Sequence, residues 1–98
     1  MPVRNRFAEM LPEITAWRRD FHAHPELLFD THRTARIVAE KLCAFGCDRV
    51  EEGIGGPGVV GVIEGRSPGE RTVGLRADMD ALPIAEATGA PHASTVPG

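Results

Sequence analysis

The sequence predicts an α/β protein in which two helices are followed by two or three strands. Up to residue 45, apolar residues recur at steps of three and four, which is the periodicity of one helix face. From residue 59 onward, short β-branched runs stand between glycines and prolines, as strands do. With 98 residues, the chain has room for one domain or for part of one.

The first helix is predicted to begin near Phe7 and to end before Pro25. Its apolar face consists of Phe7, Met10, Leu11, Ile14, Trp17 and Phe21. Pro12 indicates either the first turn of this helix or a kink in it, because proline lacks the amide proton that a helix interior uses. Pro25 disfavours helical geometry at His24, so the helix is expected to stop there.

The second helix is predicted to run from Thr31 to Phe45. Asp30 or Thr31 is expected to cap its first amides, and Gly46 suits the left-handed residue that often follows a helix. Its apolar face consists of Ala35, Val38, Leu42 and Phe45, and it is widened by Ile37 and Ala39.

Two strands are predicted at Val59–Ile63 and Thr72–Arg76, paired as a hairpin across the polar segment EGRSPGER. A weaker strand is predicted around Asp48–Glu51. Residues 83–98 are rich in alanine, proline, glycine, serine and threonine and show no periodicity, so they are predicted to form a loop.

The composition excludes several classes of protein. Hydrophobic residues make up 42% and charged residues 26%, which is typical of a globular protein. The net charge of −3 offers no field that would attract nucleic acid or an anionic membrane, and no apolar run approaches the about 18 residues of a membrane span. Cys43 and Cys47 are too few for a disulfide framework and are expected to be small buried side chains in a reducing compartment. A soluble, cytoplasmic protein is therefore expected.

Asp78 and Asp80 are the leading candidates for a functional site. They follow directly on the predicted strand TVGLR, and alternation along a strand places both carboxylates on one face. Open α/β sheets bind their ligands at this carboxyl end of the strands. Two carboxylates so close repel each other unless a cation, hydrogen-bond donors or a shared proton compensates them. The alternative is a solvated strand end, with Asp78 capping a turn.

Two other motifs favour structural roles. His22 and His24 lie at the end of the first helix, where residues two apart point about 200° away from each other, whereas a helical metal pair uses four-residue spacing. The segment Gly53–Gly58 matches the G-x-G-x-x-G nucleotide pattern, but it precedes a strand, and Pro57 lacks the amide that would face a phosphate. It is predicted to be a flexible connection to a strand.

Four segments together resemble one family. They are AWRRDFHAHPELLFDTHRTARIVAEKL, FGCDRVEEGIGG, GVVGVIEGR and GLRADMDALPIAEATGAPHASTVPG. In this order and spacing, they resemble the amino-terminal part of metal-dependent amidohydrolases, which include hippurate hydrolase, the indole-acetyl-amino acid hydrolases and related N-acyl-amino acid deacylases. The resemblance spans about residues 14–98. It implies the start of an aminopeptidase-like α/β catalytic domain with a mixed sheet, which a smaller lid domain interrupts.

The resemblance also implies a mechanism. Two divalent cations, commonly zinc, manganese or cobalt, activate a water that hydrolyses the amide bond of a small N-acyl-amino acid. Asp80 matches an aspartate that orients a metal ligand in the wider peptidase clan. Asp78 stands where the histidine of that clan's His-x-Asp would be, so it is the weaker candidate, and Pro57 stands where a threonine is expected.

In this branch of the family, the metal ligands are expected from a His-Ala-Cys-Gly-His-Asp motif immediately after Gly98. Residues 1–98 are therefore expected to be an incomplete, inactive amino-terminal part of the catalytic domain, without metal ligands and retaining no cation. The intact enzyme is expected to be a homodimer or homotetramer that binds neither nucleic acid nor a membrane. Two alternatives stay open: a stand-alone binding or structural module, and a Mg²⁺-dependent phosphoryl-transfer enzyme with a D-x-D motif.

Overall fold

The computed structural model of the protein describes residues 5–67 and 69–96. The elements follow in the order α1 (Asn5–Ala23), α2 (His32–Ala44), β1 (Arg49–Ile54) and β2 (Gly58–Val62). Two helices followed by two strands confirm the predicted α/β class. None of the helices in the described part of the chain is long and apolar enough to cross a membrane.

The chain divides into two compact units. The first joins Met1–Pro25 to Leu82–Gly98, and the second is Glu26–Ala81. The first unit therefore contains α1 and the predicted carboxyl-terminal loop, whereas the second contains α2, both strands and the candidate carboxylates.

Helix α1 confirms the first predicted helix. It ends at Ala23, as expected from Pro25, and Pro12 lies inside it rather than in its first turn. No described side chain of α1 is buried, and Phe7 and Leu11 are 57% and 59% exposed. The carbonyl of Ala23 accepts hydrogen bonds from both the amide and the hydroxyl of Thr95, each at 2.9 Å. This contact satisfies one of the carbonyls that a helix leaves free at its end.

Helix α2 confirms the second predicted helix, but its amino-terminal cap differs from the prediction. Thr31 occupies the cap position and is buried, yet its side chain makes no capping hydrogen bond. The carboxylate of Glu26 instead accepts hydrogen bonds from the amides of Arg33 and Thr34, at 3.0 and 2.6 Å. The prediction that Asp30 or Thr31 caps α2 was wrong, because the longer side chain of Glu26, in the preceding loop, reaches these amides.

The other end of α2 follows the prediction. Gly46 adopts φ +86°, in the left-handed region. Its amide donates to the carbonyl of Cys43 at 3.1 Å, and the amide of Cys47 donates to that of Leu42 at 3.3 Å. This pair of bonds is the Schellman arrangement, which satisfies the last helix carbonyls and requires the left-handed residue that glycine tolerates.

The predicted hairpin was wrong in one of its two strands. β2 confirms the strand predicted at Val59–Ile63, but it pairs antiparallel with β1, which overlaps and confirms the weaker strand predicted around Asp48–Glu51. Residues 72–76 form no strand. Within the Gly53–Gly58 segment, residues 55–57 form the turn between β1 and β2, which confirms the interpretation of this segment as a connection to a strand. A short glycine-rich turn costs less closure entropy than the longer EGRSPGER segment, so the nearer partner is favoured.

Helix α2 packs on this hairpin at Gly61. A Cβ atom at Gly61 would lie 3.1 Å from Leu42 Cδ1 and 3.3 Å from Cys47 Sγ, so the missing side chain permits the close approach. Ala39, on the same helix, is the buried apolar residue of the described part of the chain. Cys47 is half-buried here and Cys43 is exposed, so the expectation that both cysteines are buried was wrong.

Candidate functional site

Asp78 and Asp80 lie in an irregular segment that is anchored just after Asp80. The amide of Ala81 donates to the carbonyl of Glu26 at 2.7 Å, and Leu27 and Ala81 form an isolated parallel bridge. The prediction that the two aspartates end a strand was wrong, since residues 72–80 carry neither helix nor strand. The chain is nevertheless held beside Glu26 and Leu27.

Both aspartates line one cavity of about 350 Å³. The rest of its wall comes from the loop before α2 and from the hairpin turn: Leu28, Phe29, Thr31, Ile54, Gly55, Pro57 and Gly58, together with Arg76, Ala77 and Met79. Leu28 has φ +52°, a left-handed conformation that is uncommon for a residue with a branched side chain. Two carboxylates therefore share a mostly apolar cavity with one guanidinium.

The charges of the two aspartates are compensated differently. Arg76 Nη2 lies 2.7 Å from Asp78 Oδ1, and both side chains are exposed. An exposed ion pair of this kind contributes about 0–1 kcal/mol and is screened by salt. The Asp80 carboxylate has no hydrogen-bond or ion-pair partner among the residues that the structure describes. Asp80 is therefore the carboxylate of the pair whose oxygens are open to a further donor.

A second polar cluster lies in the other unit and is centred on Glu86. His22 Nε2 lies 2.7 Å from Glu86 Oε1, the amide of Ser94 donates to the same oxygen at 3.0 Å, and the hydroxyl of Thr88 donates to Oε2. The ring of His92 meets the ring of His22 edge-on, with centroids 5.3 Å apart. One carboxylate thus ties the end of α1 to both ends of the loop segment 86–94.

No sequence motif predicted the cluster around Glu86. Glu86 lies in an aperiodic segment, 64 positions from His22, and no motif connects the two. Hydrogen bonds from the Thr88 hydroxyl and the Ser94 amide lower the pKa of Glu86 below its ordinary value, His22 lowers it further, and partial burial opposes the shift. Only the position of Glu86 as the one acidic residue in a loop that also contains serine and threonine hydroxyls could have drawn attention to it.

His22 and His24 contact different partners. His24 Nδ1 lies 3.0 Å from the carbonyl of Asp20 and 3.4 Å from its carboxylate, one helical turn back, whereas His22 contacts Glu86. This divergence agrees with the structural roles that their spacing favours.

The described residues do not match a two-metal centre. In residues 5–67 and 69–96, no three or more histidine, cysteine, aspartate and glutamate side chains are grouped so that they could hold a metal ion. Asp78 is engaged by Arg76, and His22 is engaged by Glu86.

Comparisons with known proteins give long matches to enzymes. A probable hydrolase of Synechocystis is 44% identical over 98 residues, which is 100% of this chain and 25% of that protein. Hippurate hydrolase of Campylobacter jejuni is 49% identical over 77 residues, covering 79% of this chain and 20% of the relative. N-acyl-L-amino acid amidohydrolase of Geobacillus stearothermophilus is 43% identical over 96 residues, covering 98% of this chain and 25% of the relative. No family model and no solved structure matches the chain.

All three relatives are named as hydrolases. The chain is therefore similar to part of the amidohydrolases that include hippurate hydrolase and N-acyl-L-amino acid amidohydrolase. It spans about a quarter or less of the length of these curated relatives.

Proposed function

We propose that these residues belong to an enzyme that hydrolyses the amide bond of small N-acyl-amino acids such as hippurate. The observation that carries the proposal is the identity of 43–49% with relatives named for this activity. Two divalent cations, zinc, manganese or cobalt, would supply the activated water, held by ligands other than the residues described here. We further propose that the intact enzyme is a cytoplasmic homodimer or homotetramer, and the free state of Cys43 and Cys47 supports a reducing compartment.

Asp80 is the residue of this chain with a role in that reaction. Its carboxylate would accept a hydrogen bond from a side chain that binds a cation, and would thereby fix the orientation of that ligand. Two features support this role: Asp80 lines a cavity, and its oxygens have no partner among the described residues. Asp78 is the weaker candidate because Arg76 already engages it.

The direct test is glycine release from hippurate by the longer polypeptide that carries these residues. We expect turnover in buffer containing Mn²⁺, Zn²⁺ or Co²⁺ and loss of turnover after chelation, with recovery when the ion is restored. If no N-acyl-amino acid is hydrolysed with any of the three ions, the proposed activity is excluded.

For the 98-residue chain alone, we propose no turnover and no retained pair of cations. A catalytic zinc uses about three protein ligands, and a two-metal site uses more, including groups that bridge both ions. Metal analysis after dialysis, together with a hippurate assay in the presence of each ion, tests this statement. Stoichiometric metal with turnover above buffer would contradict it.

A phosphoryl-transfer enzyme with a D-x-D motif is the alternative activity. Asp78 would then be expected to bind Mg²⁺, but the guanidinium of Arg76 lies 2.7 Å from it and opposes a cation there. Hydrolysis of a phosphate ester that depends on Mg²⁺ and on Asp78 would favour this alternative over the amidohydrolase.

A further inference from the structure

Glu26 contacts two parts of its unit through two different groups. Its side chain binds the first turn of α2, and its main-chain carbonyl binds the segment that carries Asp80. We propose that Glu26 is a positioning residue for Asp80, because it ties the Asp78–Asp80 segment to the beginning of α2. This inference rests on the role proposed above for Asp80.

The first link is the carboxylate. Oε2 accepts the amide of Arg33 at 3.0 Å, and Oε1 accepts the amide of Thr34 at 2.6 Å. The first amides of a helix have no partner within the helix, and the helix dipole favours a negative charge beside them. Since the Thr31 side chain makes no capping bond, Glu26 supplies the side-chain cap for this end of α2.

The charge on Glu26 strengthens this link. Partial burial of the carboxyl opposes ionisation, but hydrogen bonds from Thr34 and Arg33 and the nearby His32 outweigh that effect and lower the pKa of Glu26 below its ordinary value. The carboxylate is therefore ionised at neutral pH. Hydrogen bonds to an ionised acceptor are shorter and stronger than neutral ones.

The second link is the backbone. The carbonyl of Glu26 accepts the amide of Ala81 at 2.7 Å, beside the parallel bridge between Leu27 and Ala81. The amide of Ala81 and the Cα of Asp80 belong to one planar peptide unit. A hydrogen bond at that amide therefore restricts the position of the Asp80 backbone. Residues 63–67 and 69–80 belong to no helix or strand, so this bridge is the regular backbone pairing nearest to Asp80 among the described residues.

Both links belong to one residue, so they are mechanically coupled. Residues 26–31 form a short loop, closed by the hydrogen bond from the amide of Asp30 to the carbonyl of Leu27 at 2.9 Å. Removing the carboxylate releases that loop from α2, and the carbonyl that holds Ala81 loses its fixed position. Asp80 then samples a wider range of positions beside the cavity.

The first measurement is hydrogen exchange at the Ala81 amide. In Glu26→Ala, we expect this amide to exchange about tenfold faster, the scale set by loss of a hydrogen bond to a charged group. Glu26→Gln retains an oxygen acceptor without the charge and should fall between wild type and Glu26→Ala. Glu40→Gln, an exposed site on the same helix, is the matched control and should leave the exchange unchanged. Unchanged exchange at Ala81 in Glu26→Ala would overturn the proposal.

The second measurement separates positioning from general destabilisation. In the longer enzyme, Glu26→Ala should lower kcat by about tenfold when Asp80 is present and cause no further loss in Asp80→Asn, because coupled residues are not additive. If Glu26→Ala lowered kcat equally in the wild-type enzyme and in Asp80→Asn, its role would be merely structural, and the proposal would be overturned. If the wild-type enzyme hydrolyses no N-acyl-amino acid, the proposed function fails, and exchange at Ala81 alone decides whether Glu26 holds the segment.

Discussion

Asp78 and Asp80 are two positions apart, yet their surroundings differ. Asp78 forms an ion pair with the exposed Arg76, whereas the Asp80 carboxylate has no such partner among the described residues. The D-x-D spacing alone makes the two residues equivalent, and in the sequence only the family resemblance favours Asp80. The ion pair, which the structure adds, distinguishes their surroundings.

The first prediction concerns Asp80 in the longer enzyme. Asp80→Asn should lower turnover or metal affinity by about 10–100-fold with the fold intact, because an amide orients a metal-binding side chain less well than a carboxylate. Steady-state kinetics and metal analysis measure the effect. Asp78→Asn is the matched control and should have a smaller effect. Wild-type turnover and metal content in Asp80→Asn would rule the role out.

The second prediction concerns the protonation of Glu86. The pKa of Glu86 is lowered in the folded state, so the ionised carboxylate stabilises the fold at pH values above its ordinary pKa of 4.5. This contribution is lost as the pH falls through the lower pKa of the folded state. The Ser94 amide, which donates to Glu86, should therefore lose protection from hydrogen exchange below pH 4.5.

Glu86→Gln provides the comparison for this pH dependence. In Glu86→Gln, the Ser94 amide should be weakly protected from hydrogen exchange at every pH, with no additional loss of protection in acid. Glu52→Gln, at an exposed site on β1, is the control and should behave as wild type. Equal pH dependence in wild type and Glu86→Gln would show that Glu86 is not the titrating group.

At the scale of elements, the helix ends depend on single residues with special roles. The carboxyl end of α2 needs a left-handed residue at Gly46, and the amino end needs the Glu26 carboxylate. The first requirement is local, so the sequence predicts it. The second depends on how the preceding loop folds back, so spacing alone assigns it to the wrong residues.

The third prediction concerns Gly46→Ala. Alanine in the left-handed region costs about 1–2 kcal/mol, so the free energy of unfolding should fall by that amount. Nothing lies within 4 Å of a Cβ at Gly46, so conformational strain would be the whole effect. Gly74→Ala is the control, since that glycine also has open space and no positive φ. Urea denaturation of both variants measures the difference, and equal stabilities would contradict the prediction.

At the scale of the molecule, the described part of the chain exposes many large apolar side chains. Ile63, Val73 and Leu75 are 77%, 86% and 97% exposed, whereas Ala39 is the buried apolar residue. Each strand of the β1–β2 pair also has one edge without a strand partner among the described residues. Exposed apolar patches and open strand edges both favour association with another chain.

The fourth prediction is that the isolated 98-residue chain is marginally stable or self-associates. Sedimentation should show species larger than a monomer, or thermal unfolding should be broad and occur at low temperature. Leu75→Asp should reduce association by replacing an exposed apolar side chain with a charge, whereas Arg71→Asp, at an exposed polar site, should have less effect. A clean monomer with a sharp cooperative transition at high temperature would contradict the prediction.

The sequence alone predicted the features that depend on local periodicity and on single special residues. These are both helices, the stop before Pro25, the left-handed Gly46 and the positions of both strands of the hairpin, although not their pairing. It also singled out Asp80 and the family resemblance, because these depend on the identity and order of residues. Such signals extend over a few positions and need no knowledge of distant contacts.

Only the tertiary structure decided the features that join distant positions. In the structure, β2 pairs with β1 rather than with residues 72–76. Glu26, and not Asp30 or Thr31, caps α2, and Glu86 contacts His22. The physical reason is that hydrogen-bond partners are chosen by proximity in the folded chain. Closure entropy and the path of each loop determine that proximity, and neither leaves a periodic trace in the sequence.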